Sequence, residues 1–592
     1  MDQLPQELVE KITSYVPTKD LKNLLTLTTK FRYSAERYSG AFTEFTLNKR
    51  NADSFVKIFS GYRLLYLREV IFRPNFPPLV WTPPAGEEDE EIECRESADE
   101  IREKNEHFTC QVQIIYKTLR TVEENAGHHA PGRYRLLVHG PTRLLHDNSI
   151  TCPHRLYSSW RVRLLNTEMP LVYSVRSLEI YNVCKEDTDI CHDSHDYPPD
   201  YSSWEGHELK LDLGVMVKLA SRLPNLEYLG CKTGSFEWHP PLCHQDGDEE
   251  PNHHFQHDWD GPRRDARHDF ASAVTRHGAQ LPASLRQANL DFIRPLYRTL
   301  HTVQGRMLPD LVRPALYDPF SSILRLLTNN VRQLRIRAII DESLFHIDDS
   351  SQPAWPNLEI LEVMFHPSRP DGSWYFHGPR GQGRDAVGYA ITAASYPPLE
   401  ANDLDAEMEG RVYHGFILPD LLNGHSNEFR ITPDEQRIRP LLEGFAKAAV
   451  QMPSLKRAII RSPLLWNPTE GYDDGIQRKN LTWGIQYSDE DVGLNMAKHD
   501  PTSQREQGYT ATRALTWMVG DWHPDAQLHS LFQQIGCEKH GEDLVEHWEQ
   551  KYSYGYDFSR WMFINTFWSH NHGHWIYDDG YDDPGRVPTS LF

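Results

Sequence analysis

The chain lacks the features of membrane, secreted and nucleic-acid-binding proteins. No apolar run approaches the ~20 residues needed to cross a bilayer, and the first residues, with acidic Asp2 and Glu7, do not resemble a signal peptide. Eight cysteines are scattered without a framework spacing, which is typical of reduced thiols. Basic residues are outnumbered 62 to 84, and the net charge of −22 would repel a phosphate backbone and an anionic membrane surface. We therefore expect a protein of the cytoplasm, the nucleus or both, with neither nucleic acid nor a membrane as a partner.

Motifs for catalysis and cofactor binding are missing or incomplete. The sequence contains no phosphate-binding loop with Gly-Lys-Ser/Thr and no His-Glu-x-x-His pair. Residues 381–386 satisfy the dinucleotide fingerprint in letters, but Pro379 stands just before them and no apolar strand leads in. Ser426 lacks the second glycine of a nucleophile elbow. We predict no catalytic residue and no cofactor, so the chain is not expected to be an enzyme.

Two groups of cysteine and histidine residues are candidate zinc ligands, and a zinc site is the strongest competing hypothesis. They are Cys184, Cys191, His192 and His195, and Cys243, His244, His253, His254 and His257. Neither group has the paired Cys-x-x-Cys knuckles that preorganise a tetrahedral site. Because the chain contains thirty histidines, chance clusters are expected, and we predict no metal site.

The amino-terminal residues contain short amphipathic segments. Leu8, Ile12 and Tyr15 recur at i, i+4 and i+7, which places them on one face of a short helix that begins just after Pro5 and ends before Pro17.

Two further segments follow at once. Asp20 stands where the N-cap of a second helix is expected, ahead of apolar Leu21 and Leu24, and a third helix is indicated by Phe31 and Ala35. Helices this short bury little surface on one another, so we expect the bundle to need a partner.

These residues resemble an F-box over roughly the first 47 of 592 positions. The matching residues are Leu4-Pro5, Glu7-Leu8, Ile12, Tyr15, Asp20-Leu21, Leu24, Thr28-Thr29-Lys30-Phe31-Arg32 and Ala35. The resemblance implies docking on the Skp-type adaptor of a cullin-RING ubiquitin ligase through Leu4, Pro5, Leu8, Ile12, Tyr15, Pro17, Leu21 and Leu24. Phe31 departs from the Trp that many F-boxes carry there. The alternative is an ordinary helical cap, which would bury Leu8 and Ile12 against the rest of the chain.

An irregular repeat of the form Leu-x-x-Leu-x-Leu follows. Its seven copies are Leu67/Val70/Phe72, Val175/Leu178/Ile180, Leu226/Leu229/Cys231, Leu285/Ala288/Leu290, Val331/Leu334/Ile336, Leu358/Leu361/Val363 and Leu455/Ala458/Ile460. Several copies are preceded by a helical apolar pattern and a proline, for example Leu213, Met216, Ala220 and Leu223 before Pro224. Helix, proline and strand in repetition predict a leucine-rich-repeat-like solenoid with parallel strands.

The predicted fold class is therefore α/β: a three-helix F-box (1–47), then an irregular solenoid over residues 48–592. Only one interval between successive copies falls in the regular repeat range of ~20 to 29 residues. The excess length predicts loop insertions near 83–105, 186–206, 239–267 and 366–439, which are rich in acidic residues, His, Gly or Pro. Trp374, Tyr375, Phe376 and Phe416 indicate that part of the last insertion is anchored.

Residues 355–363, 370–381 and 517–522 add a second resemblance, to fungal F-box proteins with a repeat-like target-binding region. Together the two resemblances imply a substrate-recognition subunit of an SCF-type ubiquitin ligase, linking the adaptor to an unknown protein target. The alternatives are an F-box scaffold without a role in degradation and an enzyme with an unrecognised active site.

Overall fold

The computed structural model describes residues 4–77, 97–127, 133–143, 160–165, 168–182, 207–208, 210–233, 260–277, 281–293, 304–346, 355–396, 427–466, 479–489 and 513–548. Within them the protein is a mixed α/β structure, as predicted. None of the helices in these ranges combines the length and the apolar character needed to span a membrane.

Strands occur along the whole described chain. They are β1 (Glu44–Leu47), β2 (Glu69–Phe72), β3 (Asn75–Phe76), β4 (Tyr134–His139), β5 (Thr142–Arg143), β6 (Val175–Asn182), β7 (His207–Glu208), β8 (Tyr228–Thr233), β9 (Gln287–Asp291), β10 (Gln333–Ala338), β11 (Ile360–Phe365), β12 (Phe376–His377), β13 (Thr432–Pro433), β14 (Arg457–Trp466), β15 (Lys479–Ser488), β16 (Ala514–Met518) and β17 (Val545–Trp548).

Most of the helices lie between these strands in the chain. The α-helices are α1 (Gln6–Ser14), α2 (Thr29–Tyr38), α3 (Ala52–Phe59), α4 (Ala98–Ala126), α5 (Gly214–Ala220), α6 (Asp260–His277), α7 (Pro319–Leu327), α8 (Glu435–Val450), α9 (Ala526–Gln533) and α10 (Cys537–His540). Within the described residues, 3₁₀ turns are formed by Thr18–Leu24, Tyr62–Leu65, Glu342–Phe345 and Ala393–Ser395.

One twelve-stranded sheet organises the fold, in the order β1-β2-β4-β6-β8-β9-β10-β11-β14-β15-β16-β17. The strands from β1 to β14 are all parallel, β15 is antiparallel to both of its neighbours, and β16 and β17 are again parallel. The order across the sheet is the order in the chain. Short strands β3, β5, β7, β12 and β13 pair outside this sheet.

The repeat leucines lie in one row across the sheet. Strand pairing aligns, in succession, Val70, Leu136, Leu178, Leu229, Ala288, Leu334, Leu361 and Ala458. All are fully buried and belong to one continuous core, because alternate residues of a strand share a face. The prediction of seven strand segments is confirmed, since the last two apolar positions of every copy fall in this sheet.

Helices pack against one another beside this core. α3 contacts α4, α6 contacts both α5 and α7, and α8 contacts α9. The Tyr116 hydroxyl of α4 donates a hydrogen bond to the Leu219 carbonyl of α5 at 3.1 Å. The predicted helix before Pro224 is α5.

Several predicted loop boundaries are wrong. The insertion placed at 83–105 ends earlier, because Ser97 and Glu100 form a capping box that starts the long helix α4. Helix α6 begins at Asp260, inside the range 239–267, and α8 begins at Glu435, inside 366–439. Residues 186–206 lie outside the described residues.

The prediction that aromatic residues anchor part of the insertion 366–439 is confirmed for its first three aromatic residues. Trp374, Tyr375 and Phe376 are almost completely buried, and the Tyr375 hydroxyl donates to the Ile340 carbonyl at 3.0 Å. Phe416 lies outside the described residues.

The first helices form a separate unit outside the continuous core. The core begins at Leu47, and it does not include Val9, Leu21, Phe31 and Ala35, although all four are buried. The boundary predicted at residue 47 is too late, because residues 44–47 form strand β1 of the main sheet. We use the name helical unit for residues 4–40.

Candidate functional site

Helix α1 turns its large apolar residues away from the protein. Its buried face consists of Gln6, Val9 and Thr13, which follow one another at helical spacing. Leu8, Ile12 and Tyr15 lie on the opposite face and are 48 %, 45 % and 78 % exposed. A helix packed as an ordinary cap buries its apolar stripe. The cap alternative is therefore wrong for this helix, since it requires Leu8 and Ile12 to be buried.

The other residues predicted to contact the adaptor are divided between surface and interior. Pro5 and Pro17 are exposed, and Leu4 and Leu24 are partly buried. Leu21 is 3 % exposed and packs inside the helical unit, so we assign it to internal packing and not to the exposed face.

The second segment of the helical unit differs from the prediction. Thr18–Leu24 is a 3₁₀ turn that follows Pro17, so Asp20 lies within it and is not its N-cap. Two residues that the predicted contact set omits, Leu25 and Leu27, are 40 % and 45 % exposed just after this turn. The signal was present in the run from Leu24 to Leu27, which holds more leucine than so small a bundle can bury.

The buried side of α1 is held to α2 by polar contacts. Gln6 donates to the Ser34 hydroxyl at 3.3 Å, and Arg37 forms an ion pair with Glu10 at 3.3 Å. Lys30 donates to the Leu4 carbonyl at 2.9 Å, which fixes the start of the chain against α2. The N-cap of α2 is Thr28, whose hydroxyl accepts from the Phe31 amide. These contacts orient the exposed stripe of α1 outward.

A buried carboxylate joins the helical unit to the rest of the protein. Glu36 of α2 accepts hydrogen bonds from Arg63 Nε at 2.9 Å, Arg63 Nη2 at 2.6 Å and Tyr62 Oη at 2.6 Å. The Tyr66 hydroxyl donates to the Tyr33 carbonyl at 3.2 Å, and the rings of Tyr33 and Tyr62 are 4.1 Å apart. We call Glu36, Tyr62 and Arg63 the clasp.

The electrostatics of the clasp favour the ionised carboxylate. Burial alone raises the pKa of Glu36, but the hydrogen bonds from Arg63 and Tyr62 outweigh it and hold that pKa below its ordinary value. Burial, together with the hydrogen bond to Glu36, raises the pKa of Tyr62 to about 12. The clasp is therefore a charged, hydrogen-bonded joint at neutral pH.

The helical unit also differs from the rest of the chain in charge. Residues 1–40 contain six Lys and Arg against five Asp and Glu, whereas residues 41–592 contain 56 against 79. Lys11, Lys19 and Lys22 are all exposed on α1 or on the turn that follows it. An apolar face bordered by cations is complementary to an apolar surface bordered by carboxylates.

The described residues include only one of the remaining sequence candidates, the segment 381–386. Residues 381–386 make a turn, with Gly381 and Gly383 at positive φ, and the Gly383 carbonyl accepts a hydrogen bond from Arg430. Ser426 and the two Cys/His groups lie outside the described residues. Within the described ranges, no group of three metal-ligating side chains converges.

Comparison of the chain with models of known protein families finds no match, and comparison with curated protein sequences finds none either.

Proposed function

We propose that this chain is the substrate-recognition subunit of an SCF-type (Skp/cullin/F-box) ubiquitin ligase of the cytoplasm or nucleus. In this proposal the helical unit is an F-box that binds a Skp-type adaptor, and through it the cullin-RING ligase. The large sheet domain is an irregular leucine-rich-repeat-like solenoid that binds a protein target.

The observation that carries the proposal is the outward face of α1. Leu8, Ile12 and Tyr15 are too large and too exposed to contribute to the packing of the helical unit. Transfer of such a side chain from water into an interface stabilises a complex by about 1.5–3 kcal/mol. A small bundle that keeps three of them in water gains most when a partner covers them.

The order of the strands supports the solenoid. Parallel strands follow one another across the sheet in chain order, and the copies of the repeat align in register. Repeat proteins are built in this way, with each unit contacting its neighbours. The unequal spacing of the copies follows from the long segments between them, and from strand β4, which separates the first two copies.

The mechanism of such a subunit is proximity. The helical unit holds the adaptor, the sheet domain holds the target, and a partner enzyme transfers ubiquitin. The rate gain comes from effective concentration, so no side chain of this chain acts chemically. The clasp has a role here, because it fixes the helical unit relative to the sheet and so sets the distance that ubiquitin must cover.

The decisive experiment is capture of a purified Skp-type adaptor by the full chain. The double substitution Leu8→Asp with Ile12→Asp is expected to abolish capture, because an unpaired charge buried in an interface costs several kcal/mol and ~1.4 kcal/mol is already tenfold in affinity. Leu326→Asp is the matched control, since Leu326 is an exposed leucine on helix α7. Equal capture by the folded double variant and the control would contradict the proposal.

The scaffold alternative is tested in the same system. A substrate receptor shortens the lifetime of its target, and removal of residues 1–40 should prolong that lifetime. If the adaptor is captured but the lifetimes of all bound proteins stay unchanged, the chain is a scaffold without a role in degradation.

A further inference from the structure

The most exposed apolar side chains of the sheet domain lie in one stretch of the chain. Outside the helical unit, the large apolar side chains that are more than half exposed in the described residues are Met307, Leu316, Tyr317, Leu326 and Val387. Their exposed fractions run from 59 % to 92 %, whereas Leu165 and Leu171, elsewhere in this domain, are 38 % and 39 % exposed. Apolar residues exposed singly are normal on a protein surface, but a concentration of them marks an interaction site.

Two loops at one edge of the sheet carry four of these five residues. Residues 304–317 follow β9 and residues 378–396 follow β11, and β9, β10 and β11 are neighbouring parallel strands. Both loops therefore lie beyond the carboxyl ends of these strands, where α/β sheets commonly bind their ligands. The loops also pair with each other, because Tyr389 donates to the Leu308 carbonyl at 2.9 Å and accepts from the Asp310 amide at 2.8 Å. We call residues 304–317 and 378–396 the paired loops.

The backbone of the paired loops is held in place. A side chain at Gly388 would collide with the Asp371 carbonyl oxygen, so the two backbones are in close contact there. The Ala386 carbonyl accepts a hydrogen bond from Arg437 at 2.8 Å. Ala386 and Ile391 pack on a second, smaller core. This core consists of Ile293, Leu308, Leu311, Ile339, Met364 and Trp374. A surface on a fixed backbone loses little conformational entropy when it binds.

The composition of this part of the chain is that of an interface. Residues 233–446 contain twenty arginines and no lysine, whereas the rest of the chain contains 24 arginines and 18 lysines. The cores of protein interfaces are enriched in Arg, Met and aromatic residues and depleted in Lys. The lysine-free tract contains both paired loops, so this observation agrees with the exposure of Met307 and Tyr317.

The exposed charge of the paired loops is mainly positive. Their exposed basic residues are Arg306, Arg313, Arg380 and Arg384. Of their two aspartates, Asp385 is exposed, but Asp310 lies 3.1 Å from Arg313 with 14 % of its side chain exposed. Helix α6, which the second loop contacts, is balanced there by the ion pairs Arg263–Asp260 and Arg264–Asp265. The paired loops are therefore a locally basic surface in a chain of net charge −22.

We propose that the paired loops bind the protein target, through a segment of the target in which large apolar side chains are bordered by carboxylates. The apolar residues of the loops pack on those of the target, and the arginines bind the carboxylates, for which the planar guanidinium group offers bidentate hydrogen bonds. The inference deepens the proposed function, and it rests on that function only in taking the bound protein to be the target of ubiquitin transfer.

The absence of lysine has a chemical consequence in this proposal. Ubiquitin is attached to lysine side chains. A receptor that brings its target close to the transferring enzyme brings its own docking surface close as well. Residues 233–446 offer no lysine there, so the docking surface is not itself a substrate.

Fluorescence anisotropy with two labelled dodecapeptides tests the proposal. One repeats Leu-Glu-Phe-Asp and the other repeats Leu-Lys-Phe-Arg, and each is titrated with the full chain at low salt, without the adaptor. The acidic peptide should bind and the basic one should not. The net charge of the chain favours the opposite preference, so binding of the acidic peptide reports a local surface.

Charged substitutions locate the binding surface. Leu316→Asp with Val387→Asp should weaken binding of the acidic peptide about tenfold or more, because each places a carboxylate in the apolar contact. Leu165→Asp with Leu171→Asp is the matched control, since it adds the same charges at two leucines outside the lysine-free tract. Leu8→Asp with Ile12→Asp is the second control, because α1 also carries an apolar face. Both controls should bind as the unmodified chain does.

A further variant tests the charges without altering apolar surface. Arg306→Gln with Arg384→Gln should weaken binding severalfold at low salt and reduce its dependence on salt. Both residues are exposed, so the melting temperature should stay unchanged.

Three results would overturn the inference. The first is no preference for the acidic peptide, and the second is equal affinity in the loop variant and the Leu165/Leu171 control. The third is self-association in sedimentation that Leu316→Asp with Val387→Asp abolishes, because the surface would then bind a second copy of this chain. Since the adaptor is absent from these measurements, failed adaptor capture contradicts the proposed function alone, and failed peptide binding contradicts this inference alone.

Discussion

The clasp should control the stability of the helical unit independently of the sheet. Glu36 is 5 % exposed and Arg63 is 31 % exposed, so their ion pair lies between a surface pair, worth up to ~1 kcal/mol, and a buried pair, whose disruption costs ~3–5 kcal/mol. Solvent access to Arg63 places the cost of Glu36→Gln near the lower part of this interval, at about 2 kcal/mol. Because ~1.4 kcal/mol is a factor of ten, local opening should become about thirtyfold more frequent.

Hydrogen exchange of the α1 and α2 amides measures this opening directly. Exchange should accelerate in both helices, whereas the amides of α8, deep in the continuous core, should exchange as before. Glu124→Gln is the control, since Glu124 forms an exposed ion pair with Arg120 and its loss should change nothing measurable. Unchanged exchange in α1 and α2, or equal acceleration in α8, would refute the assignment of the clasp as the joint between two separable units.

The pH dependence of the clasp follows from the pKa of Glu36. That pKa is lower in the folded protein than in the unfolded chain, so the unfolded chain binds the proton more tightly. The stabilisation is complete above the unfolded pKa of Glu, about 4.3, and is lost as the pH falls through the folded value. Acidification should therefore accelerate exchange in α1 and α2, and Glu36→Gln should remove this dependence.

Three further outcomes test other parts of the structure. Burial, together with the nearby Asp318, raises the pKa of Asp341 to about 7. This carboxyl should therefore destabilise the fold increasingly as the pH rises from about 4 to 7. The variant Asp341→Asn should flatten that part of the profile of melting temperature against pH. Leu361→Ala, in the centre of the core row, should lower the free energy of unfolding by about 2–5 kcal/mol in a urea titration; a change below ~0.5 kcal/mol would show that the row is not closely packed. Charge reversal at Lys19 and Lys22 should slow adaptor association at low salt and leave dissociation unchanged; a rate independent of salt in the unmodified chain would contradict electrostatic steering.

The strands could be predicted from the sequence because each copy of the repeat carries its own signal. In Leu334 and Ile336, and again in Leu361 and Val363, two apolar residues enclose a charged one, and this period of two is specific to strands. The repeat pattern does not predict β1, β4, β15 and β17. Strands β1 and β17 are short and lie at the edges of the sheet, whereas β4 and β15 lie inside it but carry no copy of the repeat.

Helix α4 shows where the interpretation of composition failed. Its apolar residues Phe108, Val112, Ile115, Leu119 and Val122 follow a clear helical spacing and are all buried. The acidic composition of residues 83–105 favours a loop over that whole range, whereas the capping box of Ser97 and Glu100 starts a helix within it.

The candidate site was predictable in its residues but not in its orientation. Periodicity places Leu8, Ile12 and Tyr15 on one face of α1, but it does not say whether that face meets the same chain or water. The buried face instead includes Gln6 and Thr13, whose polar groups are satisfied by hydrogen bonds to Ser34 of α2 and to the Val9 carbonyl of α1 respectively. A pattern of hydropathy does not register these hydrogen bonds. For Leu21 the resemblance to an F-box implies a contact with the adaptor, whereas the side chain is buried.

The agreement between strand order and chain order has a consequence for biosynthesis. A ribosome releases each strand from β1 to β14 after the neighbour on which it must pair, so every new strand meets a partner that is already made. The sheet can grow from its amino-terminal edge during translation, and the long segments between strands delay the next addition without changing its place. The helical unit is made before all of these strands, so its exposed leucines emerge into the cell before the sheet begins to form.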